Sequence, residues 1–291
     1  MRIDLHTHSL ASDGTQTPAE LVEAAAHAGL DVVALTDHDT AVGWPEAARA
    51  AEAAGIALVR GMEISTSYGG RGVHLLAYLP DPTYPPLVEG LDRVLEGRNA
   101  RVPAIVEQLR ETGVEVTEAD VRRMAGASAA AGRPHVADAL VASGVVVDRR
   151  EAFSRYLNPG RPGHVHRYAA ELVTMLETVH AAGGVTVIAH PWGRAARGAL
   201  DEAAFAALAE RGLAGIEVDH RDHTVEQRDE LRGIAANLGM VVTGSSDHHG
   251  LGKVDHDLGC FTTAPEEYAR LLELATTAAR LSGRRTPEVV G

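Results

Sequence analysis

The chain has 291 residues and a formal net charge of −13, and 45% of its residues are hydrophobic but only 4% are aromatic. This length and apolar fraction suit one large α/β domain, alone or with a sizeable insertion. The acidic balance argues against a long nucleic-acid groove, because tracking a phosphate backbone requires a basic surface. A short or single phosphate stays admissible, since bound divalent ions would offset the negative charge locally.

The composition also indicates a compartment. The single cysteine, Cys260, allows neither an internal disulfide nor a cysteine zinc site, which agrees with a reducing environment. No apolar run approaches the roughly 20 residues that cross a bilayer, and the chain opens directly into a strand pattern. We therefore expect a cytoplasmic protein without membrane contact and without an obligate protein partner. Only one basic residue, Lys253, is a lysine, and a genome rich in G and C is the simplest cause of that bias.

The first predicted strand, residues 3–8, ends in two histidines. Side chains in a strand repeat with period two, so His6 and His8 leave on one face and can reach the same metal ion. Asp13-Gly14 follows within a few residues. The pair alone is weak evidence for a metal site, because two solvent-facing histidines at a strand end give the same pattern.

Strand and helix patterns alternate as far as residue 82. Thr17, Pro18 and Glu20 have the pattern of an N-cap, a first helical residue and a capping box, and Gly29 predicts the end of that helix. The predicted elements are strands over 3–8, 31–36, 56–65 and 73–79 and helices over 18–28 and 45–54.

The third and fourth strands flank a turn at Gly69-Gly70. If they pair as a hairpin, residues at equal distances from the turn face each other, which brings His74 close to Glu63. The spacing therefore predicts a contact between an imidazole and a carboxylate.

From residue 83 to residue 182 the pattern is helical, with no convincing strand. We interpret this part as a helical insertion that covers the site, with a last helix over 168–182 that returns to the main fold. Alternation then resumes with strands over 185–189, 215–218 and 240–244 and helices over 201–211, 225–238 and 265–281. Seven strands with polar residues at their ends predict a distorted or incomplete (β/α) barrel formed by residues 1–82 and 183–291.

The strand-end groups are imidazoles and carboxylates from different segments: His6, His8, Asp13, His38, Glu63, His74, His190, Asp247 and His249. One ion uses about four to six ligands, so this set implies two or three divalent ions. Ligands of these types without thiolates favour zinc, manganese or iron. Neighbouring ions generate hydroxide and clamp a phosphoryl group, so phosphoester hydrolysis uses the set best. Single members have ordinary explanations, since Asp13-Gly14 alone is a common turn.

Five motifs carry a resemblance to a known family: Leu5-His6-Thr7-His8 with Asp13-Gly14, Leu35-Thr36-Asp37-His38-Asp39, Gly61-Met62-Glu63-Ile64, Ala189-His190-Pro191 and Ser246-Asp247-His248-His249. In this order they resemble the polymerase and histidinol phosphatase (PHP) family, and most of all its branch of small nucleotide phosphatases and short-RNA exonucleases. The similarity runs over nearly the whole chain. It implies a distorted (β/α)7 barrel with a trinuclear metal site, to which the helical pattern of residues 83–182 adds a helical insertion.

The resemblance also divides the predicted ligands among the ions. The first ion would be held by His6, His8, Glu63 and Asp247. Glu63 would bridge to the second ion, with His74 and His190. The third would be held by Asp13, His38 and His249, where the family pattern Asp-x-His selects His249 rather than His248.

Further catalytic and phosphate-binding residues are implied outside the ligand set. Residues 132–135 resemble a Gly-Arg-Pro-His segment of the family, which would bring Arg133 and His135 over the ions to grip phosphate. A helix that starts at Pro134, with a surface arginine, is the alternative. His223 matches a family histidine after the sixth strand and would protonate the leaving group or bind phosphate, unless it only caps a helix.

Two more residues are predicted to bind substrate. Trp192 would stack on a base, although an aromatic residue beside a strand end is usually part of the core. Arg197 would line the mouth of the site, although loop arginines usually stay solvated.

The main hypothesis is a metal-dependent phosphoesterase that hydrolyses a phosphomonoester of a small nucleotide-like substrate, a nucleoside monophosphate or 3′,5′-bisphosphate, through a metal-bridging hydroxide. A 5′-to-3′ exonuclease on short oligonucleotides is the alternative, disfavoured by the acidic composition and scarce aromatics. Metal amidohydrolases also open with His-x-His, but many bridge two metals with a modified lysine, and Lys253 lies after the last strand. A missing ligand would favour a non-catalytic metal-stabilised binding module, and none is missing.

Overall fold

The computed structural model describes residues 1–193 and 200–291. Within these ranges the strands are β1 (Ile3–Thr7), β2 (Val32–Leu35), β3 (Ala57–Tyr68), β4 (Arg71–Tyr78), β5 (Ala170–Glu171), β6 (Val185–Ala189), β7 (Gly215–Asp219) and β8 (Val241–Gly244). The helices are α1 (Pro18–His27), α2 (Trp44–Ala54), α3 (Pro85–Glu111), α4 (Glu118–Ala125), α5 (Arg133–Ala142), α6 (Arg149–Ala152), α7 (Leu172–Ala181), α8 (Glu202–Glu210), α9 (Val225–Leu238) and α10 (Pro265–Ser282). A π-helical turn, Phe153–Leu157, follows α6.

The sheet has the strand order β1-β2-β3-β4-β6-β7-β8, and neighbours are parallel except at β3–β4 and β4–β6. The two ends of the sheet meet, because Thr7 bridges His248 and the His8 N–H donates to the His248 carbonyl at 2.8 Å. The result is a nearly closed barrel of seven strands, which confirms the predicted distorted barrel. Since β4 runs opposite to its neighbours, its first half lies at the rim formed by the carboxyl ends of the parallel strands.

The main departure from the predicted elements lies at the end of the insertion. The sequence predicts a helix from residue 168 and no strand between 83 and 182, but Ala170–Glu171 form β5 and pair with Thr66 and Ser67 of β3. The following helix, α7, therefore begins at Leu172. β3 extends three residues beyond its predicted end and offers the edge that β5 joins. A strand of two residues is too short to leave a periodic pattern in the sequence.

Apolar side chains pack on both sides of the barrel strands, because successive residues of a strand point in opposite directions. On one side they pack with helices α1, α2, α7, α8 and α9 and with the first half of α3, and Leu21 and Phe205 are fully buried there. On the other side, Ile3 and Val187 pack in a second core with Leu271 of α10. These two layers fix the strand ends that carry the polar residues.

The second half of α3 and helices α4 to α6 share an apolar core of their own. Ile105 and Leu109 of α3, Val121 of α4, and Val136 and Leu140 of α5 are fully buried in it. The first half of α3 and α7, by contrast, pack in the core of the barrel. The division of the chain into a barrel and an insertion at residues 83–182 stays a prediction. None of the described helices has both the length and the apolar composition of a membrane span.

Candidate metal centre

Polar residues that follow the strands converge at one rim of the barrel. Asp39, His190 and Asp247 have left-handed backbone conformations there, with φ of 57°, 29° and 52°. Such conformations cost non-glycine residues roughly 1–3 kcal/mol and cluster at functional sites. Gly14 allows its loop to approach the backbone of His8 closely, because a Cβ at this position would clash with the His8 carbonyl oxygen. The backbone of this rim is thus shaped to hold side chains close together.

Glu63 of β3 lies at the centre of the converging groups. Its Oε1 lies 2.6 Å from Nδ1 of His74 and 3.1 Å from Nε2 of His190. The hairpin spacing predicts the contact with His74, although the residue directly opposite His74 is Ser65 and Glu63 reaches the ring diagonally. The other oxygen, Oε2, lies 2.9 Å from Nδ1 of His38. One carboxylate therefore faces imidazoles from three separate segments.

A first set of ligand atoms surrounds Oε2 of Glu63. The Nε2 atoms of His6 and His8 are 3.0 Å apart. They lie 3.4 and 3.2 Å from Glu63 Oε2 and 3.6 and 3.5 Å from Asp247 Oδ1. Four atoms placed tetrahedrally at bond lengths of about 2.1 Å would be roughly 3.4 Å apart. The spacing of this set therefore fits one tetrahedral ion.

A second set gathers around Asp13. Its Oδ1 lies 3.3 Å from Nε2 of His249 and 3.8 Å from Nδ1 of His8, and its Oδ2 lies 3.7 Å from Nε2 of His38. Nδ1 of His38 is buried without a hydrogen-bond partner although the Glu63 carboxylate is 2.9 Å away, because their approach lacks hydrogen-bond geometry. Nitrogen and oxygen atoms that lie this close without a hydrogen bond between them are arranged as the ligands of a common metal ion are.

Burial and charge set the protonation of several of these groups. Burial alone would raise the pKa of Glu63, but the imidazoles of His74, His38 and His6 lower that pKa well below its usual range. Burial lowers the pKa of His74 and that of His249 to about 3. At neutral pH the carboxylate is ionised and these two imidazoles are neutral, which are the forms that bind metal.

His6 and His38 differ from the other imidazoles. Burial would lower their pKa values, but Glu217 and Glu63 raise the pKa of His6 well above its ordinary value, and Glu63 and Asp13 raise that of His38. The carboxylates of the cluster therefore attract positive charge, which a divalent cation supplies. The donor set fits divalent metal ions, since it combines ionised carboxylates with imidazole nitrogens in one buried volume.

Glu217 of β7 is a fully buried carboxylate that the motifs do not single out. Its Oε1 accepts from Nδ1 of His6 at 3.0 Å and from the Ser245 hydroxyl, and its Oε2 accepts the His190 N–H at 2.8 Å. An imidazole that donates from Nδ1 keeps Nε2 free, so Glu217 orients His6 toward the cluster. The signal in the sequence is a charged residue inside the apolar strand segment 216–218.

Two other residues outside the predicted set contact Asp247. Nε2 of His220 lies 3.2 Å from its Oδ2, and the Lys253 ammonium contacts the same oxygen. His220 directly follows β7, so its strand-end position was a usable signal. Lys253 lies in a loop, and its only signal is that it is the single lysine.

His135, predicted to act on phosphate, lies beside the cluster. It is buried in the first turn of α5, and its Nδ1 accepts the Gly132 N–H at 3.1 Å, so Nε2 carries the proton. Together with Asp13 and His38 it lines a small cavity beneath the insertion. Burial, opposed by the Asp13 carboxylate, lowers the pKa of His135. The ring is therefore a neutral donor at the edge of the candidate metal centre.

Arg133 is the first residue of α5, as the alternative of a helix that starts at Pro134 expects. Its guanidinium donates to the Leu157 carbonyl at 3.2 Å and lies 5.7 Å from the Phe153 ring centroid. Both contacts lie inside the insertion, so a phosphate-binding role of Arg133 stays a prediction.

Four arginines of the insertion lie close to one another: Arg98, Arg101, Arg133 and Arg167. Burial, and after it the charges of the other three, lower the pKa of Arg101 to about 8. Arg98 donates to Asp39 at 2.7 Å. Among the described residues no carboxylate pairs with Arg101, and its buried Nε has no hydrogen-bond partner. The acidic chain therefore keeps an uncompensated positive group close to the rim.

His223 and Trp192 contact each other behind the rim. The Nδ1–H of His223 donates to the Val218 carbonyl at 2.9 Å, and its Nε2 accepts the Trp192 N–H at 3.3 Å. Both ring nitrogens serve the fold, which favours a structural over a catalytic role. The Trp192 side chain is buried and donates to the Leu200 carbonyl at 2.8 Å, which favours core packing over stacking on a base. Arg197 lies outside the described residues.

Comparisons with known proteins agree with this geometry. The PHP domain model matches residues 4–116. The chain is 37% identical to the 3′,5′-nucleoside bisphosphate phosphatase of Chromobacterium violaceum, over 88% of this chain and 90% of that protein. It is 36% identical to a 5′-3′ exoribonuclease of Haemophilus influenzae, over 85% and 90% of the two chains. A crystal structure from Bifidobacterium adolescentis, provisionally described as a metal-dependent phosphoesterase, has a TM-score of 0.89 and 36% identity, covering 94% of this chain and 96% of that one.

The chain therefore belongs to the PHP family, as the strand-end motifs predict. Its barrel, its cluster of imidazoles and carboxylates and its relatives define the class of metal-dependent phosphoesterases. Within that class, the protein is a hydrolase of phosphoester bonds.

Proposed function

We propose that the protein hydrolyses a phosphomonoester of a small nucleotide-like substrate, a nucleoside monophosphate or a nucleoside 3′,5′-bisphosphate. The observation that carries the proposal is the buried Arg101 of the arginine cluster, to which no carboxylate of the described residues is paired. A buried guanidinium without a counter-charge is destabilising, and a bound anion removes that cost. A second phosphate on the substrate is such an anion, and the Chromobacterium relative is named for substrates that carry two.

The positions of the arginines suit a substrate with two phosphates. Arg98 lines the same cavity as Asp13 and His38 of the candidate metal centre. Arg101 lies one turn further along α3 on the same face, a rise of roughly 4.5 Å. One phosphate at the rim and a second near Arg101 are therefore separated by a distance that a nucleoside can span.

We assign the strand-end residues to two or three divalent ions, for which manganese, iron and zinc fit the donor types. The ligands would be His6, His8, Glu63 and Asp247 for the first ion, Glu63, His74 and His190 for the second, and Asp13, His38 and His249 for the third. When bound, such ions activate water for attack on phosphorus and neutralise the charge of the phosphoryl group.

The residues above the rim have separate tasks in this proposal. His135 carries its proton on Nε2 in the cavity, where it can donate to a phosphate oxygen or to the leaving oxygen. Arg98 stays bonded to Asp39 and to Ser65 at 2.8 Å, so its charge faces the substrate from a fixed position. His223 supports the loop after β6 rather than the chemistry.

The test is the release of inorganic phosphate by the purified protein with added manganese. We expect a higher kcat/KM for a nucleoside 3′,5′-bisphosphate than for an aryl phosphate, because only the former engages the arginine cluster. Equal kcat/KM values would contradict the proposed substrate, and no release from either compound would contradict the proposed activity.

A 5′-to-3′ exonuclease on short oligonucleotides is the second candidate, which the similarity to the Haemophilus exoribonuclease favours. The same arginines would then hold a backbone phosphate of the oligonucleotide. Stepwise shortening of a labelled, 5′-phosphorylated trinucleotide, at a kcat/KM above that for the bisphosphate, would select this activity.

A further inference from the structure

The loop after β8 carries the only lysine of the chain, and that lysine contacts a predicted metal ligand. The ammonium of Lys253 lies on Oδ2 of Asp247, and its side chain is 21% exposed whereas that of Asp247 is 2% exposed. All other basic residues of the chain are arginines. An ammonium is a compact cation with three rotatable donors, and position 253 is where this chain has it in place of a guanidinium.

The two oxygens of the Asp247 carboxylate have different surroundings. Oδ1 lies 3.6 and 3.5 Å from the Nε2 atoms of His6 and His8. Oδ2 lies 3.2 Å from Nε2 of His220 and in contact with the Lys253 ammonium. One oxygen thus faces the predicted ligands of the first ion, and the other faces two donors.

His220, Asp247 and His256 also have ligand atoms within 4.8 Å of one another, which resembles a further metal site. The hydrogen bonds argue against an ion there. Nδ1 of His220 accepts the Asp222 N–H at 3.1 Å, so its Nε2 holds the proton and donates to Asp247. Nδ1 of His256 donates to a main-chain carbonyl at 2.7 Å, which anchors the loop. The cation of this corner is the Lys253 ammonium.

We propose that Lys253 is a positioning residue that holds Oδ2 of Asp247, so that this ligand offers Oδ1 alone to an ion shared with His6, His8 and Glu63. The inference rests on the metal-binding role assigned to those residues under the proposed function. Asp247 needs such support because its backbone is in a left-handed conformation, with φ of 52°, at the start of a loop.

If Lys253 acted only through its charge, its removal would have the opposite effect on metal affinity. A fixed positive charge beside a metal site repels a divalent cation, so a lysine that acted only through its charge would weaken metal binding, and its removal would strengthen it. Removal of a residue that orients a ligand instead weakens metal binding, typically by roughly 10–100-fold. The sign of the change therefore separates the two explanations.

The experiment measures the affinity of the metal-stripped full chain for Zn²⁺ by competition with a chromogenic chelator. Lys253→Met removes the ammonium and keeps most of the side-chain length. Arg221→Met is the matched control, because Arg221 is an exposed cation that pairs at 3.5 Å with Asp255, a residue in the loop of Lys253. We expect the tightest site to weaken roughly 10–100-fold in Lys253→Met. Arg221→Met should stay within about twofold of the parent, as expected for a surface ion pair.

Circular dichroism verifies that the variants are folded, and Lys253→Gln, which keeps a donor without the charge, provides a second variant that should retain more affinity than Lys253→Met. Unchanged or tighter zinc binding by both Lys253 variants, beside a zinc-binding parent, overturns this inference alone. A folded parent protein that binds no divalent ion overturns the proposed function as well.

Discussion

The barrel rim and the insertion differ in charge and in how they hold their side chains. The rim carries carboxylates and imidazoles on residues within strands or just after them, with Glu63 ionised among histidine rings. The insertion carries a cluster of arginines beside helices that share a core around Ile105 and Leu140. Arg101 there has no carboxylate partner among the described residues. The rim attracts cations, and the arginine cluster of the insertion attracts anions.

This difference indicates a division of labour. Metal ions require donor atoms at about 3 Å spacing, which a sheet supplies because its strand ends are held by hydrogen bonds on both sides. Recognition of a substrate phosphate requires positive charge at a longer distance, which helices above the rim can present. We therefore expect changes at the rim to affect every substrate and changes in the insertion to affect the choice among substrates.

The largest effect should follow a change at the centre of the rim. Glu63→Gln removes the negative charge that five imidazoles contact. We expect it to cost several kcal/mol of transition-state stabilisation, which is a loss of roughly a thousandfold in kcat/KM. The loss should be equal for an aryl phosphate and a nucleoside bisphosphate, and the metal content should fall. Glu107→Gln, at an exposed residue that pairs with Arg110 on α3, is the control and should behave as the parent. Retained activity in Glu63→Gln would remove this carboxylate from the chemistry.

A smaller and selective effect should follow Arg101→Ala. A hydrogen-bonded charge pair is worth about 1.5–3 kcal/mol, so KM for the bisphosphate should rise roughly 10–100-fold, while kcat/KM for an aryl phosphate stays within about threefold. The melting temperature should not fall, because an uncompensated buried charge is removed. Arg110→Ala on the same helix is the matched control. An equal loss with both substrates would contradict the division between rim and insertion.

The smallest effect on the chemistry should follow Leu140→Ala in the core of the insertion. The cavity costs about 2–5 kcal/mol of folding free energy. If residues 83–182 unfold as a unit of their own, hydrogen exchange should accelerate in α4 and α5, while exchange in the barrel strands and the metal content stay as in the parent. Equal acceleration in β1 and β2 would show that the two parts unfold as one unit.

Much of the site follows from local rules of the sequence. The period of a strand places His6 and His8 on one face, and the hairpin turn brings His74 to Glu63. The Nε2 atoms of His6 and His8 lie 3.0 Å apart and 3.4 and 3.2 Å from Oε2 of Glu63, and Nδ1 of His74 lies 2.6 Å from its Oε1. The strand-end motifs also predict the barrel, which the nearly closed sheet confirms.

Other features depend on the order of the strands in the sheet and on the docking of the insertion. Trp192 follows a strand end as Asp247 does, but its side chain turns into the core, because an apolar ring gains more from burial than from exposure at the rim. β5 exists only because the long β3 offers it an edge.

The sequence by itself determined which residue types stand at the strand ends, and hence the family, the class of reaction and the candidate ligands. Only the tertiary structure decided what surrounds them: Glu217 on His6, Lys253 on Asp247, and, close to the rim, an Arg101 that has no carboxylate partner in the described part of the chain. The physical reason is one of range. Side-chain alternation and turn geometry act over a few residues, whereas a contact between His6 and Glu217, 211 positions apart, forms only when the sheet closes.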